Sequence, residues 1–295
     1  MKFYIVDVFA EARLSGNQLA VFRNSGNLSD NQMQKIAQEM HYSETTFVTS
    51  EKPRDGGYDV RIFTPDVELP FAGHPTLGTA YIIQSEIIKK PATQVNLNLK
   101  VGQIPVTVTY RRGKADLLWM KQNEPSFGKE LDSGPVAGFL GLNQSDLDGR
   151  FPVMEVSTGL RFLIVPLRDL EAIKRVRLDR AKYLRFAEKL ESEIVLVFSP
   201  EAYEKGNDLN VRVLGPSYGI PEDPATGSGN GCLAAYLVKN RYFGAPEIDV
   251  RVEQGYEIGR KSLLLLRARE QNGRIEVNVG GRVQFIAEGE FTGKV

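Results

Sequence analysis

The chain has 295 residues, and its 37 lysines and arginines are balanced by 37 aspartates and glutamates. This formal charge of zero argues against a dedicated nucleic-acid-binding protein, which needs a basic surface to neutralise phosphates. One cysteine and two histidines exclude an intrachain disulfide framework and a Cys-rich zinc site, and they argue against a His-rich metal centre. The length and composition predict a soluble globular protein with one large domain or two ordinary ones.

The apolar runs are too short for a membrane span. The N-terminal run is interrupted by Asp7, and the longest apolar stretches, residues 194–198 and 263–266, have the length of strands. A bilayer requires about 20 apolar residues in a helix. We therefore expect a cytoplasmic protein without a membrane partner.

Two helices are predicted in the first half of the chain. Ser29 can cap a helix at residues 30–39, with Gln32 in the capping-box position and apolar residues on one face. A second, more uniformly apolar helix is predicted at residues 76–88 after a glycine-rich turn, and such a helix must be buried on nearly all sides. The alternating segments that follow predict strands at residues 94–100, 104–111 and 115–121.

The second half repeats this order. Asp179 can cap a helix at residues 181–190, and another apolar helix is predicted at residues 229–239. Alternating segments then predict four strands, at residues 248–254, 262–269, 274–279 and 283–290.

Four local similarities, in the same order, relate the two halves. The first is the pair of helices with plausible N-caps, Ser29 and Asp179, and the other three pair residues 43–48 with 192–197, 60–65 with 211–216, and 72–80 with 226–234. Small loop insertions would explain the slightly changing offset. The chain therefore contains an internal duplication.

The duplication predicts an α+β protein with two similar domains, each a curled, mostly antiparallel sheet around a central helix. We expect an N-terminal domain at residues 1–121 that is completed by about residues 282–295, because the second half ends with one extra strand. The C-terminal domain would be residues 122–281. The two glycine-rich segments would then face each other across a cleft, where helix N-termini offer N–H groups and positive dipole ends to a carboxylate ligand.

Several motifs resemble the PhzF-like phenazine-biosynthesis family along the whole chain. They occur in order at residues 7–9 and 16–17, 43–47, 61–65, 69–80, 222–228, 253–255 with 259–260, and 280–283. The resemblance implies the diaminopimelate-epimerase fold, with an active site between two like domains and a possible homodimer. It also implies a cofactor-independent isomerase that moves a proton between carbons of a small cyclic amino acid, a dihydro-hydroxyanthranilate in the best-understood members.

The resemblance also implies site residues. The acid/base glutamate falls on Glu44, and further catalytic residues fall on His74 and Asp223. Substrate contacts from backbone and hydroxyl groups fall on Gly73, Gly227 and Ser228.

Each assignment has a structural alternative. Glu44 could be a strand-end carboxylate that is exposed or paired with Arg61, rather than a buried acid/base whose pKa is raised from ~4.3 toward ~6–7. His74 could be a structural hydrogen-bonding residue, and Asp223 could be a turn or capping residue. The glycines could simply permit tight turns, which is compatible with an anion cradle. Glu193, the counterpart of Glu44, is expected to be structural.

The cysteine count opposes one related chemistry. Amino-acid epimerases and racemases of this kind use two cysteines immediately before the matched glycine-rich turns, and these positions are Ala72 and Thr226 here. Cys232 lies a turn into the apolar helix and is expected to be a small core residue. His41 is expected to be structural, at a helix C-terminus.

We therefore expect a cofactor-independent isomerase that uses Glu44 for a proton shift on a small carboxylate-bearing substrate. The alternative is a non-catalytic protein that binds a small ligand on the same fold.

Overall fold

The structure is a computed structural model of the chain, and it describes residues 1–218 and 220–292. The chain divides into two compact units. The N-terminal unit consists of Met1–Met120 and Gly280–Val295, and the C-terminal unit consists of Lys121–Val279.

The N-terminal unit is a mixed sheet with two helices. Its elements are β1 (Lys2–Val8), β2 (Asn17–Arg23), α1 (Asp30–Met40), β3 (Glu44–Val48), β4 (Tyr58–Phe63), β5 (Glu68–Leu69), α2 (Gly73–Ile82) with a π-helical continuation (Ile83–Ile88), β6 (Gln94–Leu99), β7 (Gly102–Arg111), β8 (Lys114–Lys121) and β18 (Val283–Glu290). The strand β18 pairs antiparallel with β1 along its whole length, from Val8↔Val283 to Lys2↔Glu290.

The C-terminal unit has more helices around a similar sheet. Its elements are β9 (Ser126–Leu131), α3 (Ser133–Leu140), a 3₁₀ turn (Gln144–Asp146), β10 (Val153–Ser157), β11 (Arg161–Pro166), α4 (Leu170–Arg175), α5 (Arg180–Ala187), β12 (Ile194–Ser199), β13 (Leu209–Gly215), a second 3₁₀ turn (Pro216–Tyr218), β14 (Ile220–Asp223), α6 (Gly227–Lys239), β15 (Glu247–Gln254), β16 (Ser262–Gln271) and β17 (Arg274–Gly281).

Strand pairing is the same in both units, which confirms the internal duplication and the α+β class. In the N-terminal unit, β1–β2 is antiparallel, β2–β3 parallel, β3–β4 antiparallel and β4–β6 parallel. In the C-terminal unit, β10–β11, β11–β12, β12–β13 and β13–β15 follow the same sequence of orientations. The pair β9–β10 corresponds to β18–β1.

The helix caps agree closely with the sequence. Ser29 caps α1 in a complete capping box, in which Gln32 N–H donates to Ser29 Oγ and Gln32 Oε1 accepts from Ser29 N–H. Asp179 caps α5 by accepting from the N–H of Lys182. However, α5 ends at Ala187 rather than residue 190, because the following N–H groups, as in the bond from Leu190 N to Ala187 O, close shorter turns.

The two apolar helices are buried on nearly all sides, as expected. Every residue of α2 except Tyr81 is buried, and so is most of α6. Close packing requires glycine in α2, since a Cβ on Gly78 would lie 2.6 Å from Leu19 Cδ2 and 2.8 Å from Val8 Cγ2. In α6, a Cβ on Gly229 would lie 2.9 Å from Phe162 Cε1. Each sheet therefore curls tightly around its own helix.

Within the described ranges, no helix combines the length and the apolarity that a membrane span needs.

Candidate active site

The first turn of α2 carries two of the predicted site residues. The helix begins at Gly73, three residues earlier than expected, with Ala72 as an extended N-cap that makes no side-chain capping bond. The N–H groups of the first turn of a helix have no intrahelical acceptor, and here Pro75 has no N–H at all. Gly73 and His74 therefore supply the backbone donors at this helix end, and both residues are buried.

Glu44 is the first residue of β3 and lies next to this helix. Its position follows from the parallel pairing of β3 with β2, in which Glu44 is opposite Leu19. Two residues later, Thr46 Oγ1 lies 2.8 Å from Thr79 Oγ1, a buried hydrogen bond that joins β3 to α2. This bond fixes the beginning of β3 against the helix that carries His74.

Glu44 and His74 are in contact. His74 Nε2 lies 3.4 Å from Glu44 Oε2, and the side chains are only 6% and 16% exposed. Burial lowers the pKa of His74 to about 3, and a hydrogen bond with the backbone of Gln18 opposes this shift only in part. The imidazole is therefore neutral near neutral pH. In the described part of the chain, Nε2 has no hydrogen-bond partner, so the bond to Gln18 must involve Nδ1.

Arg61, the alternative partner considered for Glu44, forms its ion pairs with other carboxylates. Arg61 donates to both carboxylate oxygens of Glu68, at 2.8 and 2.7 Å, and to Asp30 at 2.6 Å. Glu193, which corresponds to Glu44 in the second half, immediately precedes β12 and is exposed. The two glutamates therefore lie in different environments despite the duplication.

Asp223 and the beginning of α6 form the matching segment of the C-terminal unit. Asp223 is the last residue of β14, and Thr226 is the N-cap of α6. The Thr226 hydroxyl donates to Asp223 Oδ2. Gly227 is buried and Ser228 is half-buried in the first turn, where backbone N–H groups point out of the helix end. Ala72 and Thr226, the residues before the two matched helix starts, are thus both helix N-caps.

Gln254 holds the segment from Asp223 to Thr226 in place. This residue at the end of β15 is fully buried. Its Oε1 accepts from Thr226 N–H at 3.1 Å and from Asn230 Nδ2 at 2.8 Å. Its Nε2 donates to Asp223 O at 2.8 Å and to Thr226 Oγ1 at 3.0 Å. Because the amide oxygen and nitrogen face opposite kinds of partner, the amide has one favourable orientation.

Gln254 and Asn230 were not predicted as parts of the site. Gln254 belongs to the motif at residues 253–255, which indicated the family but no role for the side chain. Gly255 packs closely against the same segment. Its φ is +76°, and a Cβ at this position would lie only 2.7 Å from Pro224 O, so a side chain there would clash. The sequence therefore shows Gln254 as a polar residue beside Gly255, but it does not indicate that the partner of Gln254 is Thr226, 28 positions earlier.

The other candidates have structural positions. Cys232 is buried, and burial raises the pKa of its thiol to about 12, so it is an unreactive core residue. His41 is the C-cap of α1 in a left-handed conformation, and its N–H donates to Ala37 O. Among the described residues, no group of three or more potential ligands could hold a metal ion.

Nearly the whole chain is similar to one protein family. The PhzC-PhzF family, described as phenazine biosynthesis-like protein, matches residues 6–289. The chain belongs to this family. Among curated relatives, it is 34% identical to a trans-2,3-dihydro-3-hydroxyanthranilate isomerase of Pseudomonas aeruginosa over 289 residues, which are 98% of each chain. As a PhzF-family member whose curated relatives are named isomerases, it is an enzyme of the isomerase class.

Solved structures of the family have the same fold. A PhzF-family protein of Bacillus anthracis superposes with a TM-score of 0.89 at 24% identity, over 99% of this chain and 98% of that one. A structure titled "Predicted Epimerase" from Pseudomonas aeruginosa has a TM-score of 0.82 at 31% identity, over 99% of each. The fold extends to a probable proline racemase of Agrobacterium radiobacter, with a TM-score of 0.63 at 13% identity over 99% of this chain and 92% of that one. The predicted epimerase-like fold is therefore confirmed.

Proposed function

We propose that this PhzF-family enzyme is a cofactor-independent isomerase in which Glu44 moves a proton on a small, carboxylate-bearing, cyclic amino-acid-like substrate. The contact between Glu44 and His74 is the observation that carries the proposal. A carboxyl that removes a proton from one carbon and returns it to another must be accessible in both its ionised and its protonated form.

The surroundings of Glu44 favour such a group. With Nδ1 bonded to the backbone of Gln18, the neutral imidazole of His74 presents the lone pair of Nε2 toward Glu44 Oε2, 3.4 Å away. A lone pair facing an ionised oxygen is unfavourable, whereas a protonated carboxyl can donate to it. His74 then acts as the neighbour that receives or orients the carboxyl proton.

The segment around Asp223 supplies the groups for substrate binding. The carboxylate of Asp223 accepts from the Thr226 hydroxyl, which in turn accepts from Gln254 Nε2. The chain of donors ends on the carboxylate of Asp223, a group that suits a cationic amine. The first-turn N–H groups of α6 at Gly227 and Ser228, like those of α2 at Gly73, suit a carboxylate. An amino acid carries both charges.

The experiment measures isomerisation and proton exchange together. The named relative makes trans-2,3-dihydro-3-hydroxyanthranilate the first substrate to test. Glu44→Gln is nearly isosteric and removes the acid/base group. We expect turnover, and deuterium incorporation into the substrate in D₂O, to fall by at least ~10²-fold while binding persists. Glu193→Gln is the matched control, because it makes the same change at the duplicated position and should leave both rates unchanged.

Two outcomes would refute this mechanism. If Glu44→Gln still incorporates deuterium at the wild-type rate into a substrate that the wild type isomerises, Glu44 does not take part in the proton transfer. Stabilisation of the wild-type protein by a panel of cyclic amino acids, without exchange of any of them, would favour the alternative of a non-catalytic binding protein.

A further inference from the structure

A cavity lies within the N-terminal unit, and neither Glu44 nor His74 lines it. Its volume is about 540 Å³, which is in the range of small-molecule sites. We call it the basic cavity, because five cationic side chains line it and only one acidic side chain does. These residues are Arg13, Lys89, Lys90, Lys114 and Arg282, with Asp116 as the acid.

Most of this positive charge is not compensated by ion pairs. Arg282 donates to Asp116 at 2.7 Å and to both oxygens of Glu11 at 2.8 and 2.7 Å, so the lining acid is already committed. Within residues 1–218 and 220–292, the other four cations of the lining form no ion pair, although the charge of Lys89 contributes, after Arg23, to lowering the pKa of Glu51. In a chain whose formal charge is zero, this is a local concentration of positive charge.

The cations come from separate parts of the chain. Lys89 and Lys90 follow the π-helical segment, where cations interact favourably with the negative end of the helix dipole. This effect does not explain Arg13, which lies between β1 and β2, or Lys114, which begins β8. With Arg282, which immediately precedes β18, the fold therefore brings positive charges from four segments to one cavity.

Neutral hydrogen-bonding groups and apolar surface complete the lining. Tyr81 and Gln84 lie deeper than the exposed lysines, and burial raises the pKa of Tyr81, so that its hydroxyl remains a donor. Phe285 contributes an aromatic surface. Gln84 belongs to the π-helical segment, which is closed by the bond from Lys89 N to Gln84 O, and π-helical turns are frequent at functional sites.

We propose that the basic cavity is a second binding site, which takes a small organic anion with at least two negative charges on phosphate or carboxylate groups. The cavity is larger than a single inorganic anion requires, and its lining combines cations at the rim, neutral donors deeper inside and an aromatic side chain. The site is independent of the proton shift proposed for Glu44.

Isothermal titration calorimetry with phenyl phosphate and with isophthalate tests this site and distinguishes phosphate from carboxylate. Benzamide is the uncharged probe of similar size and should not bind. We expect the double variant Lys89→Gln/Lys114→Gln to bind the preferred anion about tenfold more weakly, because two charge contacts are lost. The control Lys35→Gln/Lys52→Gln removes two exposed lysines of the same unit that do not line the cavity and should bind like the wild type.

Tyr81→Phe provides a second arm, because it removes a donor without changing charge, and it should also weaken binding. Absence of binding for both anions, or equal loss of affinity in the Lys89/Lys114 and Lys35/Lys52 variants, would overturn the proposal. Binding that is unchanged in the Lys89/Lys114 variant would assign the anion to another location, such as the first turns of α2 or α6. Proton exchange should be the same in all of these variants, so the failure of this site and the failure of the isomerase mechanism are separate outcomes.

Discussion

Arg212 and Glu222 form an ion pair in the C-terminal unit, with 2.7 Å between Nη2 and Oε2 and side chains that are 9% and 5% exposed. Arg212 also donates to the carbonyl oxygens of Ile173 and Val176. The duplication places Arg61 and Glu68 at the corresponding positions, where Nη2 and Oε2 are again 2.7 Å apart, but the side chains are 24% and 14% exposed. The same pair thus occurs twice, in a more buried and a more exposed setting.

This difference predicts unequal effects of one substitution. Arg212→Met should lower the free energy of unfolding by about 3–5 kcal/mol, because Glu222 and two buried carbonyls lose their partner. Arg61→Met should cost about 1 kcal/mol, since water and Lys100 can still reach Glu68. Urea unfolding of both variants measures the difference, and equal losses would contradict the role of burial.

The low pKa of His74 predicts a pH-dependent contribution to stability. Near pH 7 the ring is uncharged in both states, so the contribution is small. As the pH falls below about 6.5, the unfolded state takes up a proton that the folded state, with its pKa of about 3, does not, and folding becomes less favourable. Between about pH 7 and pH 5 we expect His74 to account for about 2 kcal/mol of lost stability.

The measurement is urea unfolding at these two pH values. His74→Gln should lose about 2 kcal/mol less than the wild type over this interval, whatever its stability at pH 7. His41→Gln removes the other histidine, an exposed helix C-cap, and should follow the wild type. If the wild type and His74→Gln lose the same free energy of unfolding between these two pH values, the imidazole is not held neutral in the folded protein.

Gln254 is predicted to be a positioning residue for Asp223. Gln254→Met keeps the length of the side chain but removes the acceptor of the Thr226 N–H and the donor to the Asp223 carbonyl oxygen, and should lower the free energy of unfolding by about 2–4 kcal/mol. It should also raise the KM of the isomerase reaction more than it lowers kcat, because Asp223 is proposed to bind substrate.

A second variant changes only the amide nitrogen. Gln254→Glu keeps an acceptor for Thr226 N–H, but an ionised carboxylate cannot donate to Asp223 O and its burial is costly, so neither the stability nor KM should recover. Gln271→Met makes the same change at an exposed position of β16 and should have little effect. A normal KM in Gln254→Met would argue against the positioning role.

Two helical glycines are predicted to respond oppositely to alanine. Gly78→Ala adds a methyl group 2.6 Å from Leu19 Cδ2, and the resulting overpacking should cost about 1–3 kcal/mol. Gly138→Ala in α3 meets no atom within 4 Å and should stabilise the protein by about 0.5–1 kcal/mol, because alanine loses less backbone entropy on folding. Thermal unfolding of both variants, with shifts in opposite directions, checks this prediction.

Much of the fold could be predicted because local patterns agree with it. The strands after each apolar helix have alternating sequences with glycine breaks, and the predicted and observed bounds differ by at most two residues, as in Gly102–Arg111. By contrast, β10 and β11 were not assigned. Almost all of their residues are buried, so they do not alternate. The start of α2 was placed too late because Ala72 provides no side-chain capping signal.

The candidate site could be predicted only in part because its contacts are non-local. The family motifs indicate Glu44, His74 and Asp223 as candidates, but the 3.4 Å contact between Glu44 and His74 depends on how β3 and α2 pack. The neutral state of His74 depends on its burial, which no local pattern reports. The bonds of Gln254 to a loop 28 positions earlier likewise require the pairing of β13 with β15.

The pairing of β1 with β18 has a consequence for the order of folding. The C-terminal unit is one continuous segment, whereas the sheet of the N-terminal unit includes two strands that are separated by nearly the whole chain. During synthesis, β1 leaves the ribosome long before β18, so the sheet of the N-terminal unit is completed only after the whole C-terminal unit has been made. Until then, one edge of β1 lacks its partner strand, and such an edge can pair with other chains.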